Sequence, residues 1–312
     1  MTILVRHAYG TNFGDGSNYF LFKNYIKDIK SECCWETNKK VYNNKTILGM
    51  GSIINKMNKN DIVCGSGMLK PNDLPEFKPD ELKEMAMVRG PLTYNNLIAK
   101  GYKVRQVYGE PGLLFSDVYK PQSIKKYNIG IIPHSVDKKN KNVEKLISDG
   151  CKFIDINQAE GNEEKFLDEI NECNIIFSSA LHGIITGDSY SIPSFHIKFS
   201  DNLIGGNYKF EDYYMSVDRT HSFLDASSDI NIKSKKSDLI LDLCLHFNAE
   251  SYISGIFGKN YLNEKKFKDN KINLIYQNFQ HPIYGQLHGK FSSQMCVLDF
   301  LMNINNVESI KN

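Results

Sequence analysis

Apolar positions recur with two periods along this chain, and the changes of period predict its elements. Short apolar runs at residues 2–5, 45–48, 61–64, 85–88 and 104–108 are each closed by glycine-rich or polar turns, the pattern of strands. After Ser17, a helix cap, Phe20, Leu21, Tyr25, Ile26 and Ile29 fall on one helical face. Pro91 and Gly101 bracket a second helix, because proline suits a first turn and glycine follows a last one. A similar series then follows. It has strands at 128–132, 151–156, 175–177 and 192–196, helices at 142–148 and 163–172, and an aromatic, charged helix or loop at 208–214. From Asp218 the periodicity fades. A helix is predicted at 237–247, no order is assigned to 252–312, and His281 and His288 are expected at the surface or in packing.

Strands alternating with helices predict an α/β fold with parallel, doubly wound sheets. The polar stretch 120–127, with Pro121, is the expected linker. The predicted organisation is one Rossmann-like domain over 1–122, a second over 123–230 facing it across a cleft, and a C-terminal extension over 231–312.

The most informative stretch runs from Asn174 to Ser194. Ile175, Ile176 and Phe177 predict the end of a buried strand, Ser178 and Ser179 a turn, and Pro193 stops the short helix between. His182 therefore stands where a strand hands over to a helix start, the edge at which open α/β sheets bind ligands. Unpaired N–H groups there suit an anion, and Gly183 lets one approach. An imidazole beside an anion seat can move a proton near neutral pH. A histidine that merely packs in such a loop is the competing reading.

Other strand ends point to the same edge. The first turn, around Asn12 to Asn18, holds Asp15, which can act as a base or grip a hydroxyl. Gly49-Met50-Gly51-Ser52 and Gly65-Ser66-Gly67 end two further strands, and glycines there keep the backbone small. None of these is the G-x-G-x-x-G dinucleotide fingerprint. Arg89 follows a strand and can grip phosphate or carboxylate, with a surface ion pair as the alternative. Lys198 lies beyond the strand at 192–196.

Composition narrows the classes. The 312 residues allow one large or two ordinary domains. Net charge is +2, from 38 basic and 36 acidic side chains, which argues against bulk nucleic-acid binding. Seven cysteines without a C-x-x-C pair predict buried thiols in a reducing compartment, and nothing in the sequence requires a metal. No run approaches the ~20 apolar residues of a membrane span. The N-terminal run is strand-like and lacks a signal-peptide core. The expected home is the cytoplasm, with peripheral membrane association through a partner or lipid-linked substrate left open, as is the oligomeric state.

In order, the motifs N-F-G-D (12–15), L-G-M-G-S (48–52), V-C-G-S-G (63–67), V-R-G-P-L-T (88–93), G-E-P-G-L-L (109–114), I-I-P-H (131–134), S-S-A-L-H-G (178–183) and K-F-E-D-Y-Y (209–214) resemble the polysaccharide pyruvyl transferase family. The likeness covers residues 1 to about 217. It implies two lobes like those of GT-B glycosyltransferases. It also implies transfer of pyruvate from phosphoenolpyruvate, a substrate rather than a cofactor, to two hydroxyls of a sugar, leaving a cyclic ketal and phosphate. The acceptor class, whether lipid-linked, nucleotide-linked or polymeric, stays open. The family's L-H histidine falls on His182, the expected acid or base, and its R-G-P arginine on Arg89, the expected donor clamp. Gly183, Ser179, Lys198, Lys209 and His134 complete the expected donor side. Asp15 is expected to deprotonate or orient an acceptor hydroxyl, with Asn12 and Glu110 on the acceptor side. Two departures stand out. Ala180 occupies the place where some members carry an arginine before the histidine, so Lys198 or Lys209 must supply the charge. Glu110 replaces the usual aspartate of a G-D-P motif. A glycosyltransferase using a nucleotide sugar is the alternative enzyme, although no acidic residue is well placed for a ribose. A catalytically silent glycan- or anion-binding member is the alternative from another class.

Overall fold

The computed structural model describes residues 2–8, 12–34, 46–157, 161–226, 237–246, 248–254 and 256–277. Tyr9, Gly10 and Thr11 of the first polar turn, Lys45, Phe247, and 278–312 with His281 and His288 lie outside the described residues. The chain divides into two compact units, Met1–Ile232 and Lys233–Asn312.

The described part of the first unit is α/β with two parallel sheets. One comprises β1 (Ile3–His7), β2 (Ile29–Cys33), β3 (Thr46–Leu48) and β4 (Asp61–Val63), in the order β2-β1-β3-β4. The other comprises β5 (Tyr127–Ile132), β6 (Lys152–Phe153), β7 (Cys173–Ser178), β8 (Ser194–Lys198) and β9 (Phe223–Asp225), in the order β6-β5-β7-β8-β9. Strands covered on both faces need near-continuous apolar sequence. Ile129, Ile131 and Ile132 in β5 and Ile175, Ile176 and Phe177 in β7 supply it, and all are buried.

The helices are α1 (Phe13–Gly16), α2 (Asn18–Phe22), α3 (Pro91–Ala99), α4 (Phe115–Val118), α5 (Lys141–Ser148), α6 (Glu163–Asn171), α7 (Leu181–Ser189) and α8 (Tyr208–Ser216). Pro91 opens α3 and Gly101 takes a left-handed φ of +85° just beyond it, as the sequence predicts. The aromatic segment after residue 208 is a helix. Two expectations are corrected. The helix after Ser17 ends at Phe22, and Ile29 belongs to β2, an edge strand whose alternation of Ile29, Ser31 and Cys33 with Lys30 and Glu32 reads ambiguously. Residues 85–88 and 104–108 extend the first sheet only as isolated parallel bridges, Cys64 with Met87, Met85 with Val104 and Val88 with Tyr108.

A shared core fixes one sheet against the other. Phe13, Phe20, Leu21 and Met50 cluster with Ile132, Phe166 and Ile176, and the ring of Phe13 stacks on Phe166 at 4.1 Å. Burying such a ring stabilises by ~1.5–3 kcal/mol. The Phe13 N–H also donates to Ile156 O at 2.8 Å, so α1 is held against the loop after β6.

In the second unit the described residues form α9 (Ser237–His246), β10 (Ser251–Ser254), α10 (Glu264–Asp269) and β11 (Asn273–Tyr276), with β10 and β11 paired in parallel. The unit buries Leu239, Ile240, Leu243 and Phe267. Among the described residues no helix is long and apolar enough to cross a membrane.

Candidate active site

Strand order locates the site. In the first sheet the chain leaves β1 toward β2 on one side and returns to β3 on the other, so the loops after β1 and β3 part and leave a crevice. In the second sheet the same reversal occurs between β5 and β7. One cavity of about 200 Å³ takes its walls from all four of these loops. Ala8, Asn12 and Asp15 come from the β1 loop, and Ser52 and Ile53 from the β3 loop. His134 follows β5, and Ala180, Leu181 and His182 follow β7; Leu69 and Lys209 complete the lining. Of the site residues expected from sequence, Asn12, Asp15, His134, His182 and Lys209 meet here.

Each is positioned by local chemistry. Asn12 caps α1, its Oδ1 accepting from Gly14 N at 3.1 Å, which places Asp15 in the first turn. His182 lies in the first turn of α7, where Thr186 Oγ1 donates to its carbonyl at 2.6 Å. Its ring lies against Gly14, so closely that a Cβ there would sit 1.9 Å from Nδ1. Lys209 projects from α8. Its ammonium stands 5.4 Å from the Phe210 ring and makes no hydrogen bond or ion pair with any described residue.

Burial sets the protonation states. His182, only 11% exposed, is pulled down to about 3 by desolvation first, with Lys209 and Arg89 adding. His134 falls to about 4 for the same leading reason, Lys209 adding and Asp137 opposing. Both rings are therefore neutral at pH 7. Asp15 is pushed up to about 6 by burial, which Lys209 opposes; protein surrounds the carboxyl, and only its cavity face stays accessible. Lys209 drops to about 8 through burial and Arg89, against the pull of Asp15. Near neutrality the cavity holds an ammonium poised to lose its proton and a carboxylate poised to gain one.

The remaining expected residues stand elsewhere. Arg89 does not line the cavity. Its Nε donates to Asp212 Oδ2 at 3.1 Å, Nη1 to Ser52 Oγ at 2.8 Å and Nη2 to Met68 O at 2.6 Å, at 1% exposure. It ties the β3 loop to α8 and acts on the cavity through its field. Glu110, expected near the acceptor, is buried behind His182, with Oε1 4.0 Å from Nε2, and burial pushes it up to about 8. Gly183 is close-packed for an internal reason, since a Cβ would lie 2.4 Å from Ser178 Oγ. Ser179 donates to Asp137 at 2.9 Å and accepts from His134 N at 2.8 Å, so its hydroxyl is occupied. Ser179 and Lys198 line a neighbouring cavity of about 120 Å³, where Lys198 pairs with Asp201 at 2.5 Å. Of the two lysines that could replace the arginine expected at Ala180, Lys209 is the one that shares the cavity with Ala180.

Sequence reasoning missed four supports. Asp212 accepts from Arg89, from Thr93 N at 2.9 Å and from Thr93 Oγ1 at 2.7 Å. Ser52 braces the same guanidinium. Gly14 makes room for the His182 imidazole, as Gly67 does for Arg89, whose Cζ would lie 2.4 Å from an added Cβ. The glycines were visible as a pattern, but the side chains they accommodate lie far away in sequence.

The pattern of the polysaccharide pyruvyl transferase family matches residues 2–201, and that of the WbqC-like protein family matches residues 200–311. An uncharacterized protein of Acanthamoeba polyphaga mimivirus is 33% identical over 213 residues, 65% of this chain and 69% of that protein. The succinoglycan biosynthesis protein ExoV of Rhizobium meliloti is 21% identical over 217 residues, 67% of this chain and 63% of that protein. A solution structure of the E. coli RcsC C-terminus, with linker and phosphoreceiver domain, aligns with 79% of this chain and 92% of that one at 11% identity. Its TM-score of 0.23 is too low to bear on the fold.

Proposed function

The chain belongs to the polysaccharide pyruvyl transferase family, and on that premise we propose that it moves pyruvate from phosphoenolpyruvate to two hydroxyls of a sugar in a surface glycan or its precursor. The observation that carries this reading is Lys209. A buried ammonium that contacts no carboxylate of a described residue, and feels only the field of Asp15, is costly unless a ligand supplies the charge, and this one shares its cavity with Ala180, two neutral imidazoles and Asp15. A small phosphorylated acid fits those groups.

In the proposed reaction Lys209 holds the anionic donor, with the start of α7 and the neutral His134 as further donors. His182 protonates the methylene carbon, which gives the neighbouring carbon oxocarbenium character. Asn12 orients the sugar and Asp15 takes the proton of the first attacking hydroxyl. Asp15 then protonates the departing phosphate, and the second hydroxyl closes the ketal while its proton returns to His182. One placed acid or base contributes ~10²–10⁴-fold. We further propose that the two sheets act as lobes of a GT-B-like arrangement working on the cytoplasmic side.

The test is phosphate release from phosphoenolpyruvate in the presence of sugar acceptors. Wild type should turn over, and His182→Ala should lose at least ~100-fold while keeping its melting temperature. Wild-type turnover by that variant would remove His182 from the mechanism.

A further inference from the structure

Two buried polar atoms at the back of the cavity make no hydrogen bond with any described residue, Oε2 of Glu110 and Nε2 of His182. Their side chains face each other, Nε2 lying 4.0 Å from Oε1. Buried polar groups are normally partnered, so two bare atoms on side chains this close call for an explanation. Glu110 is held by its backbone position. It caps the turn Pro111–Leu114, and Oε1 accepts from Gly112 N at 3.4 Å. At 3% exposure and outside the cavity lining, it cannot reach a substrate directly.

We infer that Glu110 is a proton-storing and positioning residue for His182: its carboxyl stands behind Nε2, closes the 4.0 Å gap when the imidazole gives up its Nδ1 hydrogen, and reloads the ring by donating its O–H to Nε2. With Nε2 turned to Glu110, Nδ1 is the nitrogen left for the substrate. The inference rests on the pyruvyl-transfer reading for its chemistry and on the buried contact for its geometry.

The proton course closes. As Nδ1 gives its hydrogen to the methylene carbon, Nε2 takes the hydrogen of Glu110, which becomes a carboxylate. The first hydroxyl's proton passes through Asp15 to the leaving phosphate. The second hydroxyl's proton enters at Nδ1, and Nε2 returns its own to Glu110. One C–O bond to phosphate breaks and two C–O bonds to the sugar form, with no external acid required.

The groups facing this pair favour such storage. Arg89, Lys209, Asp15, Asp212 and Tyr213 surround it. Burial holds the proton on Glu110 up to about 8, with Arg89 and the Gly112 N–H opposing and Asp15 and Asp212 adding. The same burial, with Lys209 and Arg89, keeps His182 neutral. The proton therefore rests on the carboxyl until the imidazole has given one away.

The experiment uses the full chain with ¹⁵N-labelled histidine, as wild type, as Glu110→Gln, as Lys209→Met and as the double variant. The glutamine amide can still donate to Nε2 but cannot surrender a proton to it. In wild type the nitrogen resonances of His182 should shift as pH passes about 8; Lys209 titrates in the same range, so the step should shrink in Glu110→Gln, remain in Lys209→Met and vanish in the double variant. In phosphate-release kinetics, Glu110→Gln should lower kcat by ~100-fold, leave KM for phosphoenolpyruvate unchanged and lose the alkaline limb of kcat, while the limb that Lys209 gives to kcat/KM stays. Absence of the step in wild type, its undiminished persistence in Glu110→Gln, or wild-type kcat with the limb intact would overturn the inference. If wild type releases no phosphate with any acceptor, the pyruvyl-transfer reading fails, and the resonances still decide whether Glu110 and His182 share a proton.

Discussion

Replacing Gly14 by alanine tests the geometry of the site through a residue that carries no chemistry. Gly14 sits in α1 without a left-handed backbone, so alanine should favour the helix locally by ~0.5–1 kcal/mol. The new methyl, however, would lie 1.9 Å from Nδ1, 2.0 Å from Cγ and 2.4 Å from Cε1 of His182. Carbon contacts need ~3.5–4 Å, so the ring must move by more than ~1 Å. It has little freedom, because Glu110 stands behind it and α7 fixes its backbone. Overpacking of this kind costs ~1–3 kcal/mol. After the helix gain, the net loss should be at most ~2.5 kcal/mol, or at most ~5–10 °C of melting temperature at ~2–4 °C per kcal/mol. Activity should suffer far more, since a ~1 Å misplacement can cost ~100-fold. The assay pairs steady-state phosphate release with a thermal melt in the presence and absence of phosphoenolpyruvate. The expected result is a kcat reduced at least ~100-fold with ligand-induced stabilisation retained through Lys209. Near-wild-type kcat in a folded Gly14→Ala protein would show that the imidazole can be displaced without consequence, and the assignment of the acid would be wrong.

Lys209→Met should act with opposite signs on stability and binding. Removing a desolvated, unpaired ammonium should leave the melting temperature unchanged or raised, while loss of a charged hydrogen bond of ~1.5–3 kcal/mol should weaken donor binding roughly 10- to 100-fold; calorimetry showing undiminished affinity would contradict its role. Wild type should also lose stability relative to Glu110→Gln as pH rises from about 5 to about 8. The folded-state value of about 8 lies above the ~4.3 of an unfolded glutamate, so the folded protein holds a proton that the unfolded chain has released, and that advantage disappears as the carboxyl ionises. Denaturant midpoints that run parallel over this range would argue against a buried neutral carboxyl.

The part of the site that follows one stretch of chain was legible in the sequence. The run Ile175–Phe177, the serine turn and Pro193 locate β7, α7 and His182 between them, because burial on both faces and helix termination are local events. The alternation that predicts parallel sheets also predicts that loops at their carboxyl edges meet. What pairs across the chain was not legible. Arg89 reads as a donor clamp because its partner, Asp212, lies 123 residues away and gives no local sign. Glu110 reads as an acceptor contact because nothing in its neighbours reveals that His182 covers it. Lys198 and Lys209 look equivalent until α8 buries one and Asp201 pairs the other. In the second unit the strand alternation is weak, with Ile253 60% exposed, and a small sheet with one poorly covered face leaves little pattern to read.

The most direct measurement is a mass-spectrometric screen of sugar acceptors incubated with the purified chain and phosphoenolpyruvate, with phosphate counted alongside. One class of acceptor should gain a pyruvyl ketal, with one phosphate released for each. Phosphate without a modified sugar, or no reaction with any acceptor while the donor still binds the cavity, would contradict pyruvyl transfer to a sugar.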